Sequence, residues 1–304
     1  MFMGDMPELM EIILNNLNRI IFFILVCTYL STENITALLK ILAKNATKIN
    51  SLKLYEFYSD SEPELIHALI CIIKSQEQLR QFSLLSGEGY PKEYHGIISA
   101  LESQQNSLQE VLINCCSCST EFKYSKILQK SGTVLQRLSL VSEYERIQEE
   151  PLLLETLKSF CPNITYLSIG NVGFSTQYLE LISNLQKLQF LTLCWIFETL
   201  DDEPELLVMQ LAKLLPLTLQ YLDLSYSCIE SFTDILLSNC YAPLKYLLIE
   251  CLDDEEKIKA LTEFCIRKKT LNYVGVHVDV DDDIKKKVEE YVTLMPYDRI
   301  VVNC

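Results

Sequence analysis

The chain has 304 residues, and 49% of them are apolar, which is enough for a long continuous core. Its 26 basic and 41 acidic residues give a formal net charge of −15, and this balance argues against a protein that binds the phosphate backbone of nucleic acids. The twelve cysteines are scattered, mostly inside apolar segments, and we therefore expect buried thiols and a cytoplasmic or nuclear location.

The N-terminal stretch MPELMEIILNNL is amphipathic. Leu9, Ile13 and Leu17 recur at helical spacing behind Pro7, and acidic residues lie in the first turns, where the helix dipole favours them. Because the end of a repeat array needs a cover, the stretch predicts a helical cap. We accordingly expect an N-terminal segment, 1–44, followed by a repeat domain, 45–304.

An apolar run of eleven residues, Ile20–Leu30, follows this stretch. A membrane-spanning helix needs about 20 apolar residues, so we expect no membrane span. Arg19 in front of the run and small residues behind it leave a signal sequence as an alternative. Against that alternative, Asp5 and Glu8 occupy the region that is basic in signal sequences.

A repeat of the form Leu-x-x-Leu-x-Leu, in which Ile, Val or Phe also fill the apolar positions, dominates the rest of the chain. Its ten copies, the last of them the weaker YDRIVV, begin at Ile49, Leu79, Leu108, Leu135, Ile164, Leu188, Leu219, Leu244, Leu271 and Tyr297. The last two apolar residues of each copy share one face of a short strand, and segments between copies, such as PELIHALICII, have helical spacing. The pattern predicts an α/β solenoid, a right-handed horseshoe with parallel strands on its concave face and helices on its convex face.

This pattern resembles that of leucine-rich repeat proteins over roughly residues 45–304. The phrase CPNITYLSI resembles the cysteine-containing, ribonuclease-inhibitor-like subclass of these repeats. The N-terminal stretch resembles the first half of an F-box, whereas the second half, which usually contains Trp, has no counterpart. In F-box proteins the box binds a Skp-type adaptor of a cullin–RING ubiquitin ligase, and the repeats select the substrate. The resemblance implies adaptor-binding roles for the matching residues Pro7, Leu9, Ile13 and Leu17.

The residues beside the two inward apolar positions of each copy should face outward on the sheet. The first outward column is Ser51, Gln81, Glu110, Arg137, Tyr166, Phe190, Tyr221, Tyr246, Tyr273 and Arg299. Its five consecutive aromatic residues would form a ladder about 20 Å long. The neighbouring column is mostly small and would leave the rings accessible; it is Ser139, Ser168, Thr192, Asp223, Leu248 and Gly275. We predict that Tyr166, Phe190, Tyr221, Asp223, Tyr246 and Tyr273 bind a protein partner, with mutual stacking of the rings as the alternative.

Two stretches resemble metal sites only superficially. In DVDVDDDIKKKVEE the acidic residues match several ligand positions of a calcium loop, but Ile284 occupies the position that needs Gly, and three lysines lie inside the loop. Cys115 and Cys118 form a single Cys-x-x-Cys pair, whereas structural zinc sites use four ligands. The sequence also lacks nucleophile and phosphate-loop motifs, so we expect no metal, no cofactor and no enzymatic activity.

These observations favour a recognition protein that resembles an F-box substrate receptor and binds its protein substrate on the concave face. Two alternatives stay open. One is a leucine-rich repeat interaction protein without adaptor docking, whose N-terminal helix is only a cap. The other is a secreted or receptor-type repeat protein, in which Ile20–Leu30 belongs to a signal sequence.

Overall fold

The computed structural model describes residues 22–26, 32–57, 63–86, 94–115, 124–142, 147, 150–194, 197–198, 203–277 and 280–300. The predicted N-terminal helix lies outside these residues. The chain divides into two compact units, Met1–Leu135 and Gln136–Cys304. In each unit parallel strands alternate with helices, as the repeat pattern predicts.

The first unit contains four parallel strands whose order in the sheet follows their order in the chain. They are β1 (Phe22–Val26), β2 (Ser51–Phe57), β3 (Gln81–Ser86) and β4 (Glu110–Cys115). The helices of this unit are α1 (Thr32–Asn45), α2 (Pro63–Ser75), α3 (Tyr94–Leu101) and α4 (Tyr124–Ser131). The apolar face of each described helix turns inward, as Leu65, Leu69 and Ile72 of α2 illustrate with at most 3% exposure.

Strand β1 belongs to an additional repeat that the Leu-x-x-Leu-x-Leu pattern did not predict. It pairs in parallel with β2, with Phe22 opposite Ser51. Ile20, Phe23 and Leu25 fill the three apolar positions of the repeat, one repeat length before Ile49. The residues between them are apolar too, which hides the alternation that marks a strand. The apolar run therefore contributes a strand, and no helix within the described residues is long and apolar enough to cross a membrane.

Two buried glutamines join consecutive repeats of the first unit. The side chain of Gln76 accepts a hydrogen bond from the Ile49 N–H at 2.9 Å and donates one to the Ala46 carbonyl at 2.8 Å. One repeat further on, Gln104 accepts from the Leu79 N–H at 3.2 Å and donates to the Gln76 carbonyl at 2.8 Å. Each amide thus satisfies backbone groups in the turn of the preceding repeat, which buried polar groups require.

The second unit contains a sheet of seven parallel strands. These are β5 (Arg137–Ser142), β6 (Tyr166–Ile169), β8 (Phe190–Thr192), β10 (Tyr221–Asp223), β11 (Tyr246–Ile249), β12 (Tyr273–Val276) and β13 (Thr293–Pro296). Two short strands, β7 (Gly173–Phe174) and β9 (Phe197–Glu198), pair separately. The helices are α5 (Glu150–Phe160), α6 (Thr176–Asn184), α7 (Pro204–Leu214), α8 (Thr233–Asn239), α9 (Glu255–Lys268) and α10 (Asp282–Glu289).

Capping side chains fix where several of these helices begin. Asp254 accepts a hydrogen bond from the Glu256 N–H at 2.8 Å in front of α9, and Asp281 accepts one from the Asp283 N–H at 2.8 Å in front of α10.

The repeat leucines form the core of the second unit. Leu167, Leu191 and Leu222 are fully buried, and each such side chain contributes roughly 1.5–3 kcal/mol relative to an exposed one. Cys161 and Cys240 are also fully buried, in the turns that follow α5 and α8. Burial raises the pKa of the Cys161 thiol to about 12 and that of Cys240 to about 11, so both stay protonated and pack as small apolar groups.

The prediction that YDRIVV forms the last repeat strand is wrong. The final strand is Thr293–Pro296, with Thr293 opposite Tyr273, and Tyr297–Arg299 forms a 3₁₀ turn instead. The chain returns to the sheet at Thr293, soon after α10, and Leu294 fills the inward position. Arg299 consequently lies outside the first outward column.

Candidate partner-binding surface

Strand pairing in the second unit brings the predicted aromatic residues together in one row. From β5 to β12 the row is Arg137, Tyr166, Phe190, Tyr221, Tyr246 and Tyr273, one residue from each strand. The register is fixed because the residue after each member is a buried apolar side chain of the core. We call the five aromatic residues of this row the ring ladder.

The rings of the ladder contact one another yet keep part of their surface in solvent. The ring centroids of Phe190 and Tyr221 are 6.0 Å apart, and those of Tyr221 and Tyr246 are 6.4 Å apart, both tilted. Tyr246 and Tyr273 stack at 5.6 Å with an interplanar angle of 12°. All five rings are half-buried. Cross-strand aromatic contacts contribute roughly 0.2–1 kcal/mol each, so stacking accounts for part of the role of these rings and leaves area for a partner.

The first ring of the ladder, Tyr166, contacts the positively charged side chain of Arg137. The guanidinium carbon of Arg137 lies 4.8 Å from the centroid of the Tyr166 ring, within the range of a cation–π interaction. In the first unit the corresponding row is Phe22, Ser51, Gln81 and Glu110, so the described strands there carry a single aromatic residue at these positions and no run of rings. The ladder is therefore a property of the second unit.

The second outward column, which was predicted to be open to solvent, is partly covered by another segment of the chain. Asp223 is 3% exposed and Leu248 is 1% exposed, because the segment Tyr297–Ile300 lies over this part of the sheet. A Cβ atom on Gly275 would lie 2.8 Å from Cδ1 of Ile300, so the close approach depends on the absence of a side chain there. Gly275, a glycine inside a strand, was the feature of the sequence that could have indicated this close packing of the Tyr297–Ile300 segment.

Asp223 is the best-connected polar residue of this face. Its carboxylate accepts hydrogen bonds from the Ser225 N–H at 3.0 Å, the Tyr297 hydroxyl at 3.4 Å and the Tyr221 hydroxyl at 3.5 Å. Burial raises the pKa of Asp223 above its usual range, and the hydrogen bonds from Ser225 and Tyr297, with nearby His277, oppose the shift. Asp223 is thus buried beneath Tyr297 rather than open beside the rings, and a partner reaches it only by displacing Tyr297.

Aromatic side chains that the repeat pattern did not single out surround this carboxylate. The His277 ring stacks on Tyr297 with centroids 3.9 Å apart, and Tyr226 lies 5.1 Å from His277. Tyr226 is 49% exposed and has a positive φ of 59°, which turns it out of the strand direction. Together with the ladder, these rings give the face an extended aromatic surface.

The remaining sequence-predicted sites are either outside the described residues or serve the fold. Pro7, Leu9, Ile13 and Leu17 lie outside the described part of the chain. So does Cys118 of the cysteine pair. In the former calcium-loop candidate, Asp281 caps a helix. Among the described residues, no group of three or more His, Cys, Asp or Glu side chains is arranged to hold a metal ion.

Comparisons with known proteins bear on the fold. No protein-family model matches the sequence, and no curated protein matches it. Among solved structures, the leucine-rich repeat-containing protein LegL7 from Legionella pneumophila is similar, with a TM-score of 0.51, 19% identity and 91% of each chain covered. A protein from Bacteroides fragilis has a TM-score of 0.48 and 14% identity over 87% of this chain and 71% of its own. A chain of the yeast Rad7 and Elc1 complex has a TM-score of 0.48 and 14% identity over 92% of this chain and 78% of its own.

The likeness to LegL7 and the alternation of parallel strands with helices confirm the predicted fold, a leucine-rich repeat solenoid. At 19% identity this likeness concerns the fold alone.

Proposed function

We propose that this protein is a non-enzymatic recognition module that binds a protein partner through the ring ladder. The observation that supports the proposal best is the row of half-buried rings held in register on adjacent strands. Exposed tyrosines are frequent among the residues that dominate binding energy, because they offer large rigid area with a polar tip. A row of five strands spans about 20 Å, the length of roughly six residues of an extended peptide.

In its finer form, the proposal assigns the protein to the substrate receptors of cullin–RING ubiquitin ligases. The F-box-like stretch with Pro7, Leu9, Ile13 and Leu17 would dock a Skp-type adaptor, and the ladder would hold the substrate. The turn cysteines Cys161 and Cys240 support the resemblance to cysteine-containing repeats. Because β1 begins at Phe22, docking would rest on the first half of the box alone. The burial of Cys240 and Cys265 as small apolar groups fits a cytoplasmic or nuclear location.

Two other functions share the ladder but differ at the N-terminus. The first is an interaction protein without adaptor docking. The second is a secreted or receptor-type protein, for which the run Ile20–Leu30 would have to be removed. The parallel pairing of Phe22–Val26 with β2 weighs against the second, since removal would strip a strand from the sheet.

Two experiments test the proposal. Proximity labelling in cells should identify partners of the full chain that disappear when Tyr221 and Tyr246 are both replaced by Ala. The matched control replaces Tyr241 and Tyr291, which are 59% and 44% exposed and lie outside the ladder. Partners lost equally from both variants, or from neither, would refute the role of the ladder.

Adaptor docking is tested separately. Purified Skp-type adaptor is titrated into the full chain and into a variant with Leu9→Asp and Ile13→Asp. Docking predicts binding that the variant loses, because charged side chains disrupt an apolar helix face. If the full chain binds no adaptor, the interaction protein without adaptor docking becomes the better description.

A further inference from the structure

The carboxylate of Asp223 is buried on the face of the ring ladder and forms no salt bridge within the described residues. It accepts hydrogen bonds from the Ser225 N–H and from two tyrosine hydroxyls, and His277 lies nearby. Two of these three contacts, at 3.4 and 3.5 Å, are at the long end of hydrogen bonding. A buried carboxylate normally has a charged partner or several short hydrogen bonds, so this site is incompletely satisfied.

The surroundings of Asp223 suit a positively charged side chain. The faces of tyrosine rings attract ammonium and guanidinium groups, and Tyr221, one ring of the ladder, reaches the carboxylate with its hydroxyl. At the other end of the same row, Arg137 lies over Tyr166, so the ladder already holds a guanidinium within this chain.

The charge of the second unit adds a long-range attraction. Residues 136–304 contain 27 acidic and 15 basic residues, a net charge of −12 out of the −15 of the whole chain. Some of the exposed acidic residues, Glu250 and Asp253 after β11 and Asp282 at the start of α10, follow the carboxyl ends of the strands and so lie at one edge of the ladder's sheet. Such a field raises the association rate of a positively charged partner.

We infer that the partner of the ring ladder presents a basic side chain, Lys or Arg, to the carboxylate of Asp223. The inference rests on the proposed function, since it gives the charge class of the partner for the same surface. The basic group replaces the Tyr297 hydroxyl, and the aliphatic part of its side chain lies along the rings. The segment Tyr297–Ile300 moves aside in the bound state.

Displacement of Tyr297 is feasible because a weak contact holds it at the carboxylate. Its hydroxyl is 3.4 Å from Oδ2 of Asp223, and its ring stacks on His277, which is itself exposed. A basic side chain replaces this long bond from a neutral hydroxyl with a shorter one between two opposite charges, which is stronger.

Selection from a random peptide library tests the inference without a known partner. A library of random dodecapeptides displayed on phage is panned against the full chain and counter-selected on the variant with Tyr221→Ala and Tyr246→Ala. Enriched peptides should contain an excess of Lys and Arg over Asp and Glu. Synthetic copies of three enriched peptides are then titrated by fluorescence anisotropy against the wild type and single variants.

Asp223→Asn keeps the shape of the side chain and removes the charge, and it should weaken binding of these peptides about 30-fold or more. The matched control is Glu263→Gln, which removes one charge from an exposed position on α9 and should change affinity less than about twofold. Thermal unfolding of both variants shows that any loss of binding is not a loss of folding.

The outcomes separate this inference from the proposed function. Enriched peptides that are neutral or acidic but still require Tyr221 and Tyr246 would overturn the basic partner and leave the ladder as the binding surface. Basic peptides weakened equally by Asp223→Asn and Glu263→Gln would also overturn it, because only bulk charge would then matter. A library with no peptides that depend on the two tyrosines would overturn both.

Discussion

Replacing Gln104 by Leu should lower the free energy of unfolding by about 2–4 kcal/mol. Gln104 is 3% exposed, and its amide is the acceptor for the Leu79 N–H and a donor to the carbonyls of Ile73 and Gln76. Leu fills a similar volume but leaves the N–H of fully buried Leu79 without this acceptor, which costs about 1–3 kcal/mol. Loss of the donated bonds adds about 0.5–1.5 kcal/mol, because the Ile73 carbonyl keeps the Gln76 N–H at 3.3 Å.

Urea unfolding followed by circular dichroism measures this change, and hydrogen exchange locates it. The control is Gln105→Leu, which alters the adjacent exposed position of the same turn. The amide of Leu79 should exchange faster in Gln104→Leu than in the control. If the two variants differ by less than about 0.5 kcal/mol, or if Leu79 exchanges at the same rate in both, the glutamine does not join the repeats as described.

Three further predictions concern the second unit. Burial raises the pKa of Asp223 in the folded protein above the ordinary carboxyl value of 3.8. The wild type should therefore lose stability relative to Asp223→Asn as pH rises from 3.8 through the raised pKa. At neutral pH the variant should be at least as stable as the wild type. Gly275→Ala should push Ile300 away from the sheet and increase trypsin cleavage in the C-terminal segment, because the new Cβ would lie 2.8 Å from Cδ1 of Ile300. Lys257→Met should lower the free energy of unfolding by about 3 kcal/mol, because Lys257 forms a buried ion pair with Glu230 at 3.0 Å.

Each of these has a matched comparison. Urea unfolding at about pH 4.5 and about pH 7.5 measures the first, with exposed Asp298→Asn as the control; a stability difference that does not change with pH would refute it. For the second, cleavage at the same rate as in the wild type would show that Ile300 does not pack over the strand. For the third, exposed Lys259→Met should stay within about 0.5 kcal/mol of the wild type, and an equal loss in both variants would refute the ion-pair argument.

The repeat leucines predicted most of the fold because their spacing carries both the strand and its register. Once Leu167 and Leu222 point inward, Tyr166 and Tyr221 must lie on the outer face, in one row on either side of Phe190. The row could therefore be predicted from the sequence. Strand β1 was missed because both faces of Phe22–Val26 are apolar, which removes the alternation.

Contacts that periodicity does not encode were beyond prediction. The pairing of Tyr297 with Asp223 joins residues 74 positions apart, and it exists only because the last strand ends early and a turn follows. The weak YDRIVV copy matched the repeat pattern. The strand that forms, Thr293–Pro296, did not match it, because Pro296 occupies one of the apolar positions. Parallel pairing with β12 decided between the two.

The early start of the array at β1 matters for anyone who trims this protein. A fragment that begins at residue 45 would lack the strand that covers the outer edge of β2, and the backbone groups of Ser51–Phe57 on that side would be left without their partners. An exposed strand edge recruits other chains by the same hydrogen bonds that it makes in the sheet. We therefore expect such a fragment to self-associate through β2 more strongly, at the same concentration, than a fragment that begins ahead of Ile20 and keeps β1 paired with β2.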